Sequence, residues 1–458
     1  MTNSPSYLNQ KTIPSSQRRK SYQGPNVIGT RANTRSLIIL ALIFVLALAL
    51  NLINLALKPV TQDIGETWRW WPEILNLAQN HTFQSCIQGY FPFCGPTNNI
   101  SASLEPLPVL FFAAGAFISN QALWFARIME VGLNLLILLG IYLLAATWLN
   151  QRAALIASLL WATYIPAIKL VAQISGDLFA TACLVFGMLF FMRARKSQRW
   201  VDWIFTGVLM GLGVLSRSVI LPIVIILALG LIFESWQTNQ NMRANFIKSI
   251  RPAIVMLSIT ILLMIPWALR NYTVLGKPVY GSTLVGYNLY RQNYMLGEQN
   301  YMRFVGLKEA DQAISDLVAR HQDLLGTENE AQMDSVYRAE ALKIITAHPL
   351  QYVSLSAYRF LPLWFNWRVQ EAYGSETNTV WYAVMLLQAF LLITAIIGAW
   401  VTRRQSWPFW TSIIVVSLSY MAIISELRYL VLVIPLVICL SVVGLQSIRN
   451  RFFAKPAG

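Results

Sequence analysis

Long apolar stretches separated by short polar ones dominate the sequence. A helix needs roughly 17–25 consecutive apolar residues to cross a bilayer core about 30 Å thick. Ten stretches reach or approach that length and predict spanning helices at 36–57, 122–149, 152–173, 177–192, 201–216, 219–234, 253–270, 378–401, 408–425 and 428–448. The pattern therefore predicts an all-α polytopic membrane protein with about ten transmembrane helices.

Composition supports this fold class. Hydrophobic residues make up 56% of the 458 residues, charged residues only 12%, and the formal net charge is +15. A soluble protein is excluded by these values. A basic excess can indicate a nucleic-acid partner, but here the Lys and Arg residues occur in short runs between apolar stretches, which is how membrane topology is encoded. Membrane lipids are therefore the expected environment, and nucleic acid is not an expected partner.

The short apolar stretch 107–118 decides the topology. With 12 residues it falls below the roughly 17 needed to span, so we interpret it as an interfacial helix. The basic clusters between spans, at 193–199, 243–251 and 403–404, then all lie on the cytoplasmic side with both termini. The absence of an evident retention signal and the lone first anchor favour a bacterial cytoplasmic (inner) membrane.

The polar segments define the domains. Residues 1–35 carry basic and small polar residues but no acid, which predicts a disordered cytoplasmic tail. The remaining predicted units are a transmembrane catalytic module at 36–270 that includes an outer loop at 58–121, an outer (periplasmic) helical segment at 271–377, C-terminal transmembrane helices at 378–448 and a cytoplasmic tail at 449–458. Within the outer loop, 66–79 predicts an aromatic interfacial helix. Helical periodicity at 308–325 and 330–347 predicts a small helical cap.

Ionisable residues concentrate at the outer ends of the predicted spans. A charge at membrane depth costs about 2.5–3.5 kcal/mol on insertion scales, so its position is informative. The residues at this level are Glu66, Glu105, Asp177, Arg217, Arg270, Glu426 and Arg428. Together they predict a site for an anionic substrate and a proton acceptor. For each residue alone, the alternative is a helix-end anchor whose side chain extends to the interface.

Several chemistries are not supported by the sequence. It contains no G-x-x-x-x-G-K phosphate loop, no G-x-S-x-G elbow and no H-E-x-x-H zinc motif. Nucleotide hydrolysis is therefore not expected. A divalent metal ion shared by Asp177 and Glu105 stays an open alternative, because two carboxylates alone do not make a metal site.

Short motifs in a fixed order resemble the GT-C superfamily, specifically family 39 glycosyltransferases such as the protein O-mannosyltransferases and the lipid A aminoarabinose transferases. The stretch ETWRWWPEILNLAQNHTF, which begins at Glu66, resembles the family's first outer loop, with Trp70 at the position of an aromatic residue four after the acid. The motifs that follow are Leu104-Glu105-Pro106, Ser175-Gly176-Asp177, a glycine-rich stretch ending at Arg217, Pro266-Trp267 with Arg270, Gly286-Tyr287-Asn288 and Glu426-Leu427-Arg428-Tyr429. The resemblance covers about 36–450. Glu66 replaces the commoner Asp, and no residue matches the metal-ligating His of some members.

The resemblance implies transfer of a sugar from a polyprenyl-phosphate-linked donor to an acceptor on the outer face, with inversion. Glu66 is the expected general base and Asp63 the rival, with Asp177 the third catalytic candidate. The residues expected to bind substrate are Glu105, Arg217, Arg270, Asn288, Glu426, Arg428 and Tyr429. The acceptor, whether lipid, glycan or protein, stays open. A transporter or flippase for a lipid-linked sugar is the alternative function.

Two of the four cysteines lie in the predicted outer loop. Cys86 and Cys94 flank a short segment with Gly89 and Pro92. In an oxidising compartment they could close a small loop. We therefore predict a structural disulfide between them.

Overall fold

The computed structural model is helical throughout the residues that it describes, namely 34–84, 100–237, 242–303, 307–321, 329–368 and 379–453. The helices are α1 Thr34–Ala56, α2 Thr67–Asn80, α3 Pro106–Ile118, α4 Leu123–Trp148, α5 Gln151–Ala162, α6 Ile165–Leu170, α7 Asp177–Ser197, α8 Trp200–Val214, α9 Ile220–Gln237, α10 Met242–Leu275, α11 Val285–Arg291, α12 Leu307–Ala319, α13 Glu330–Ala347, α14 Pro349–Tyr358, α15 Phe360–Phe365, α16 Thr379–Val401, α17 Trp407–Ile423 and α18 Ile434–Phe453, with a 3₁₀ helix at Leu427–Leu432. Extended backbone pairs within these ranges at one isolated bridge, between Gln84 and Ile100. The predicted all-α fold class is confirmed.

The long apolar helices coincide with predicted spans. By length and composition, α1, α4, α7, α16 and the part of α10 at Ile250–Leu275 are able to cross a membrane. Shorter apolar helices occur at Pro106–Ile118, Trp200–Val214, Ile220–Glu234 and Trp407–Ile423. The number of ten spans stays a prediction. The stretch interpreted as interfacial forms α3, which begins at Pro106.

Prolines divide two of the predicted spans. The span at 152–173 forms two helices, α5 and α6, instead of one, and Pro166 lies in the first turn of α6. Proline lacks the N–H that would continue the helix and its ring clashes with the preceding turn, so the chain breaks and restarts. The last predicted span likewise begins as the 3₁₀ helix and becomes α-helical only from α18, whose second residue is Pro435. The 3₁₀ helix at the second break carries Arg428 and Tyr429.

The segment 271–377, which is predicted to lie outside the membrane and is called the second outer segment here, contains α11 to α15. It has its own small apolar clusters. Tyr287 of α11 packs edge-on against Tyr337 of α13, with ring centroids 5.5 Å apart. α13 starts with a capping box formed by Asn329 and Gln332, which satisfies two backbone groups at the helix start. This segment touches the first outer loop, because the Thr283 N–H donates to the Ala102 carbonyl at 2.9 Å. The two segments predicted to lie outside the membrane are therefore in contact, and together they are called the outer layer here.

Candidate functional site

Glu66 lies immediately before α2 and contacts two arginines. Arg428 Nη1 lies 2.6 Å from Glu66 Oε1, and Arg69 Nη1 lies 3.5 Å from Oε2. Burial by itself raises the pKa of this carboxyl, but the charges of Arg428, Arg69 and Arg217 outweigh it and lower the pKa to about 2. The Glu66 carboxyl is therefore ionised at neutral pH, and in this conformation it is paired with arginine.

Arg428 is held by the residues on either side of it. Its Nε lies 2.8 Å from Glu426 Oε2, and its Nη2 donates to Tyr429 Oη at 2.8 Å. The Tyr429 ring also lies below the guanidinium, 4.7 Å from it, and stacks on Tyr420 of α17 with centroids 4.6 Å apart. These contacts fix the plane of the guanidinium. The 3₁₀ helix thus presents Arg428 to Glu66 in a defined orientation.

A second ion pair lies beside the first. Arg217, in the turn after α8, places Nη2 2.5 Å from Asp177 Oδ1 at the start of α7. Its guanidinium also faces the rings of Trp70 and Tyr429, at 6.0 Å and 5.9 Å from the centroids. Glu105, buried at the start of α3, contributes a further negative charge near Arg217. The two ion pairs thereby share Tyr429 as a common neighbour and form one polar cluster.

The segment 173–177 joins this cluster to α2. The Glu66 N–H donates to Gln173 Oε1 at 3.2 Å, and the Ile174 N–H donates to Thr67 Oγ1 at 2.9 Å. From the other side, Glu130 Oε1 accepts from the Ser175 N–H at 3.0 Å. Backbone and side-chain bonds therefore fix the start of α2 against the loop that carries Asp177. No local sequence signal indicated Gln173 or Glu130, because both act through contacts between distant segments.

Arg270 belongs to a different cluster. It lies within α10, one helix turn before its end, and donates to the carbonyls of Ser101 at 2.8 Å and Phe83 at 3.3 Å. Its charge acts on Glu73 of α2 and Glu330 of α13. In this placement Arg270 donates to the backbone of the first outer loop, apart from Arg217 and Arg428, and its role in phosphate binding stays a prediction.

The Glu73 cluster is buried and connects three elements. Glu73 is 0% exposed, and one of its oxygens, Oε1, has no hydrogen-bond partner among the described residues. Glu330 Oε2 accepts from the Ala102 N–H at 2.8 Å and from Thr283 Oγ1 at 2.9 Å. Burial, and then the charge of Glu330, raise the pKa of Glu73 to about 8. The carboxyl group at the start of α2 therefore has a lowered pKa, whereas the carboxyl group in its middle has a raised pKa.

The other predicted residues lie apart from the polar cluster. Asp63 is exposed, and within the described residues it makes no ion pair or hydrogen bond. Asn288 is half-buried in α11 of the second outer segment, and among the described residues no hydrogen bond or ion pair joins it to the residues around Glu66. Cys86 and Cys94 lie outside the described residues, so the predicted disulfide stays a prediction.

The donor set of the polar cluster does not fit a metal ion. Within the described ranges, no three His, Cys, Asp or Glu side chains lie close enough to hold one. The carboxylates of Glu66 and Asp177 instead pair with Arg428 and Arg217. A buried oxygen without a partner remains on Asp177, but a single oxygen does not form the six-ligand shell that a hard divalent cation prefers.

An apolar groove runs along the bundle. It has a volume of 610 Å³ and lies between α15, α16, α17 and α18. Arg403 and Trp400 line one end, and Trp364 and Met421 line the other. Met421 directly follows Tyr420, which stacks on Tyr429. The groove therefore ends one residue along α17 from Tyr420, whose ring stacks on Tyr429.

Comparisons with known proteins concern the family and the fold of the chain. Residues 104–268 match the model of the family described as dolichyl-phosphate-mannose-protein mannosyltransferase. No curated protein matches the chain in sequence. Among solved structures, the Archaeoglobus fulgidus oligosaccharyltransferase tethered to an acceptor peptide with the NVT sequon matches with a TM-score of 0.57 and 16% identity, over 92% of this chain and 50% of that one. The chain thus spans about half the length of the oligosaccharyltransferase that it matches.

Two further structures show the range of the similarity. The same oligosaccharyltransferase in complex with zinc and sulfate matches with a TM-score of 0.52 and 16% identity, over 90% of this chain and 49% of that one. ArnT from Cupriavidus metallidurans bound to undecaprenyl phosphate matches more weakly, with a TM-score of 0.39 and 12% identity, over 92% of this chain and 80% of that one.

The family match and the fold likeness support the resemblance to membrane glycosyltransferases. The family match covers the segment from the start of α3 into α10, which carries Glu105, Asp177 and Arg217. The fold likeness covers nearly the whole chain. The resemblance predicted from the sequence is therefore confirmed.

Proposed function

We propose that the chain transfers a glycosyl group from a polyprenyl-phosphate-linked donor to an acceptor hydroxyl at the polar cluster around Glu66. The observation that carries this proposal is the contact between two largely buried groups, the Glu66 carboxylate and the Arg428 guanidinium. A carboxylate is suited to take the acceptor proton, and a guanidinium is suited to bind the phosphate that leaves. Both groups are needed at one place for this reaction.

The proposed step balances without a cofactor. The acceptor oxygen attacks the anomeric carbon of the sugar, the bond from that carbon to the phosphate oxygen breaks, and the hydroxyl proton passes to Glu66. Attack opposite to the departing phosphate inverts the anomeric centre. The leaving group is the polyprenyl phosphate, whose negative charge Arg428 stabilises, with Arg217 as the second candidate.

Donor binding would also strengthen the base. With a pKa of about 2, Glu66 is a weak proton acceptor while it pairs with Arg428. A donor phosphate beside Arg428 competes for the same guanidinium and adds negative charge. Both effects raise the pKa of Glu66 towards its ordinary value. Arg428 thus keeps the base weak until a phosphate is present.

The apolar groove supports a prenyl-linked donor. From Trp410 to Met421 of α17 it extends over twelve residues, which are eleven helical steps of 1.5 Å or roughly 16 Å. A hydrocarbon chain in the groove would be covered by apolar side chains on one side and by bilayer lipid on the other. Its phosphate end would then lie near Tyr420 and Tyr429, and so near Arg428.

The proposed orientation places the Glu66 cluster on the outer face of a bacterial inner membrane. At the opposite end of the bundle, Arg193 pairs with Asp202 at 3.7 Å and Arg195 donates to the Gln405 carbonyl at 3.3 Å. This basic end is the one that the positive-inside rule assigns to the cytoplasm. Both termini would lie on that side.

Turnover in lipid nanodiscs tests the function. Wild-type protein, Glu66→Gln and the exposed control Asp63→Asn are incubated with a panel of short-chain polyprenyl-phosphate sugars, and released polyprenyl phosphate is measured. We expect release from at least one donor by wild type and by Asp63→Asn, and none by Glu66→Gln. Activity that survives in Glu66→Gln would contradict the assignment of the base. Binding of the lipid phosphate without turnover of any donor would favour a transporter or flippase.

A further inference from the structure

Arg359 is a buried cation far from any carboxylate partner. It joins α14 to α15 and is 3% exposed. Its guanidinium donates to the carbonyls of Met421 and Ala422, each at 3.3 Å, to Asn293 Oδ1 at 3.1 Å and to the Gln292 carbonyl. All four acceptors are neutral, and within the described residues no acid pairs with Arg359.

These acceptors belong to two different parts of the molecule. Gln292 and Asn293 follow α11 in the second outer segment, whereas Met421 and Ala422 end α17 in the bundle. The last carbonyls of a helix lack intrahelical partners, and a positive charge is favourable there. Tyr352 Oη of α14 donates to the same Ala422 carbonyl at 3.1 Å. α14 and α15 therefore clamp the end of α17 to the outer segment.

The clamped helix end leads directly into the site. After Ala422 the chain leaves α17 at Ile424 in an extended conformation and reaches Glu426, four residues after Ala422. The next turn carries Arg428. Just before the clamp, Tyr420 stacks on Tyr429. The position of the α17 end thus sets where Arg428 stands relative to Glu66.

We propose that Arg359 is a positioning residue that holds the end of α17 against the outer segment and thereby presents Arg428 to Glu66 and to the donor phosphate. This inference rests on the proposed function for the role of the phosphate, while the coupling between the two arginines is a property of the chain itself. Arginine suits the position because one guanidinium reaches four acceptors that lie in a fork. An apolar residue would leave those carbonyls buried and unpaired.

A double-mutant cycle in nanodiscs tests the coupling. The dissociation constant of a short-chain polyprenyl phosphate is measured for wild type, Arg359→Met, Arg428→Met and the double variant. We expect Arg359→Met to weaken binding about tenfold, and the double variant to bind no more weakly than Arg428→Met alone, since coupled residues are not additive. The matched control is Arg338→Met, a half-exposed arginine that pairs with Asp334 inside the outer segment, and it should bind as wild type does. Additive losses, or unchanged binding in Arg359→Met, would overturn the proposal.

Further measurements keep the proposal testable if a variant does not fold or if the protein does not bind polyprenyl phosphate. Tyr352→Phe and Arg359→Lys remove only part of the clamp, and each should weaken binding less than Arg359→Met. The unfolding temperatures of wild type, Arg359→Met, Arg428→Met and the double variant form a second double-mutant cycle, which reports the coupling without ligand. Wild type that fails to bind any polyprenyl phosphate would contradict the proposed function, and the temperature cycle alone then decides the role of Arg359: additive shifts overturn it, non-additive shifts support it.

Discussion

Two glutamates on one short helix show how neighbours determine the charge of a buried acid. Glu66 precedes α2 and Glu73 lies in its middle, seven residues later, and burial disfavours the ionised form of both. Three arginines act on Glu66 and lower its pKa to about 2, whereas Glu73 faces Glu330 and has a pKa raised to about 8. The same helix therefore carries one acid that is always charged and one that is neutral at pH 7.

The difference indicates separate roles for the two regions. Glu66 belongs to a cluster whose cations are placed to interact with an anionic ligand. Glu73, with Glu330 and Arg270, belongs to a cluster whose polar groups bind the backbone of the first outer loop. The first region is proposed to do chemistry, and the second joins the outer layer to the bundle. Changes to each region should therefore affect different measurements.

The largest expected effect follows from neutralising Glu66. Glu66→Gln should lower the rate of transfer by about 10²–10⁴-fold, because a positioned base contributes that much. Binding of polyprenyl phosphate should be as tight as in wild type or tighter, since glutamine does not compete for Arg428. Initial rates and a dissociation constant measured on the same preparation separate the two. Loss of binding together with the rate would contradict a role as base.

Removal of the Arg428 side chain should act on binding. Arg428→Ala should weaken the binding of the donor phosphate by about 1.5–3 kcal/mol, roughly 10–100-fold, since a charge-assisted hydrogen bond contributes that much. Arg428→Lys should retain part of the affinity, because an ammonium keeps the charge but not the forked geometry. Titration calorimetry with polyprenyl phosphate measures both. Equal affinities in wild type and Arg428→Ala would exclude Arg428 as the phosphate ligand.

The Glu73 region should affect how the stability of the folded protein depends on pH. The pKa of Glu73 is about 8 in the folded protein and near 4.5 when unfolded, so between these values the unfolded chain loses a proton that the folded chain keeps. Stability should therefore fall as the pH rises from about 5 to about 8, with a drop of roughly a few degrees in unfolding temperature. Glu73→Gln cannot ionise and should flatten this slope. A slope identical to that of wild type would show that Glu73 does not titrate in this pH range.

The smallest effect concerns the turn before Glu66. Gly65 has φ +55°, and a Cβ there would overlap Gln173 Oε1, which accepts from the Glu66 N–H. Gly65→Ala should lower the transfer rate several-fold by displacing Gln173, in addition to a backbone cost of about 1 kcal/mol. Gly276→Ala is the matched control, because Gly276 has φ +70° but open space around it. Equal rates in the two variants would show that Gln173 does not position Glu66.

The sequence predicted the fold better than the site because the two depend on different information. Apolar length and the positions of basic runs are local, and they located most of the helices to within a few residues. The exceptions are the spans divided near Pro166 and Pro435, and α10, which begins eleven residues before the predicted span. The contact between Glu66 and Arg428 joins residues more than 350 positions apart. The sequence placed both residues in one predicted site, from their shared depth and from the order of motifs, but it did not predict that they pair. Arg69 was overlooked although helical spacing places it three residues after Glu66, on the same face.

Arg270 shows that the predicted depth of a charged residue in the membrane does not determine which groups its side chain contacts. It lies at the same predicted depth as Arg217 and Arg428, yet its guanidinium turns towards the carbonyls of Ser101 and Phe83. The direction of a long side chain depends on which acceptors the neighbouring loop offers, and that loop is positioned by tertiary contacts. A span prediction contains no such information. Gln173, Glu130 and Arg359 were missed for the same reason.

The most direct test of the account is the pKa of Glu66 with and without polyprenyl phosphate. Infrared difference spectra of the protein in nanodiscs report protonation of carboxyl groups, and Glu66→Gln identifies the band that belongs to Glu66. Without ligand, Glu66 should stay ionised down to a pH of about 2. With the lipid phosphate bound, its pKa should rise towards the ordinary value for glutamate. An unchanged pKa in the presence of bound polyprenyl phosphate would contradict the claim that Arg428 is shared between the base and the donor.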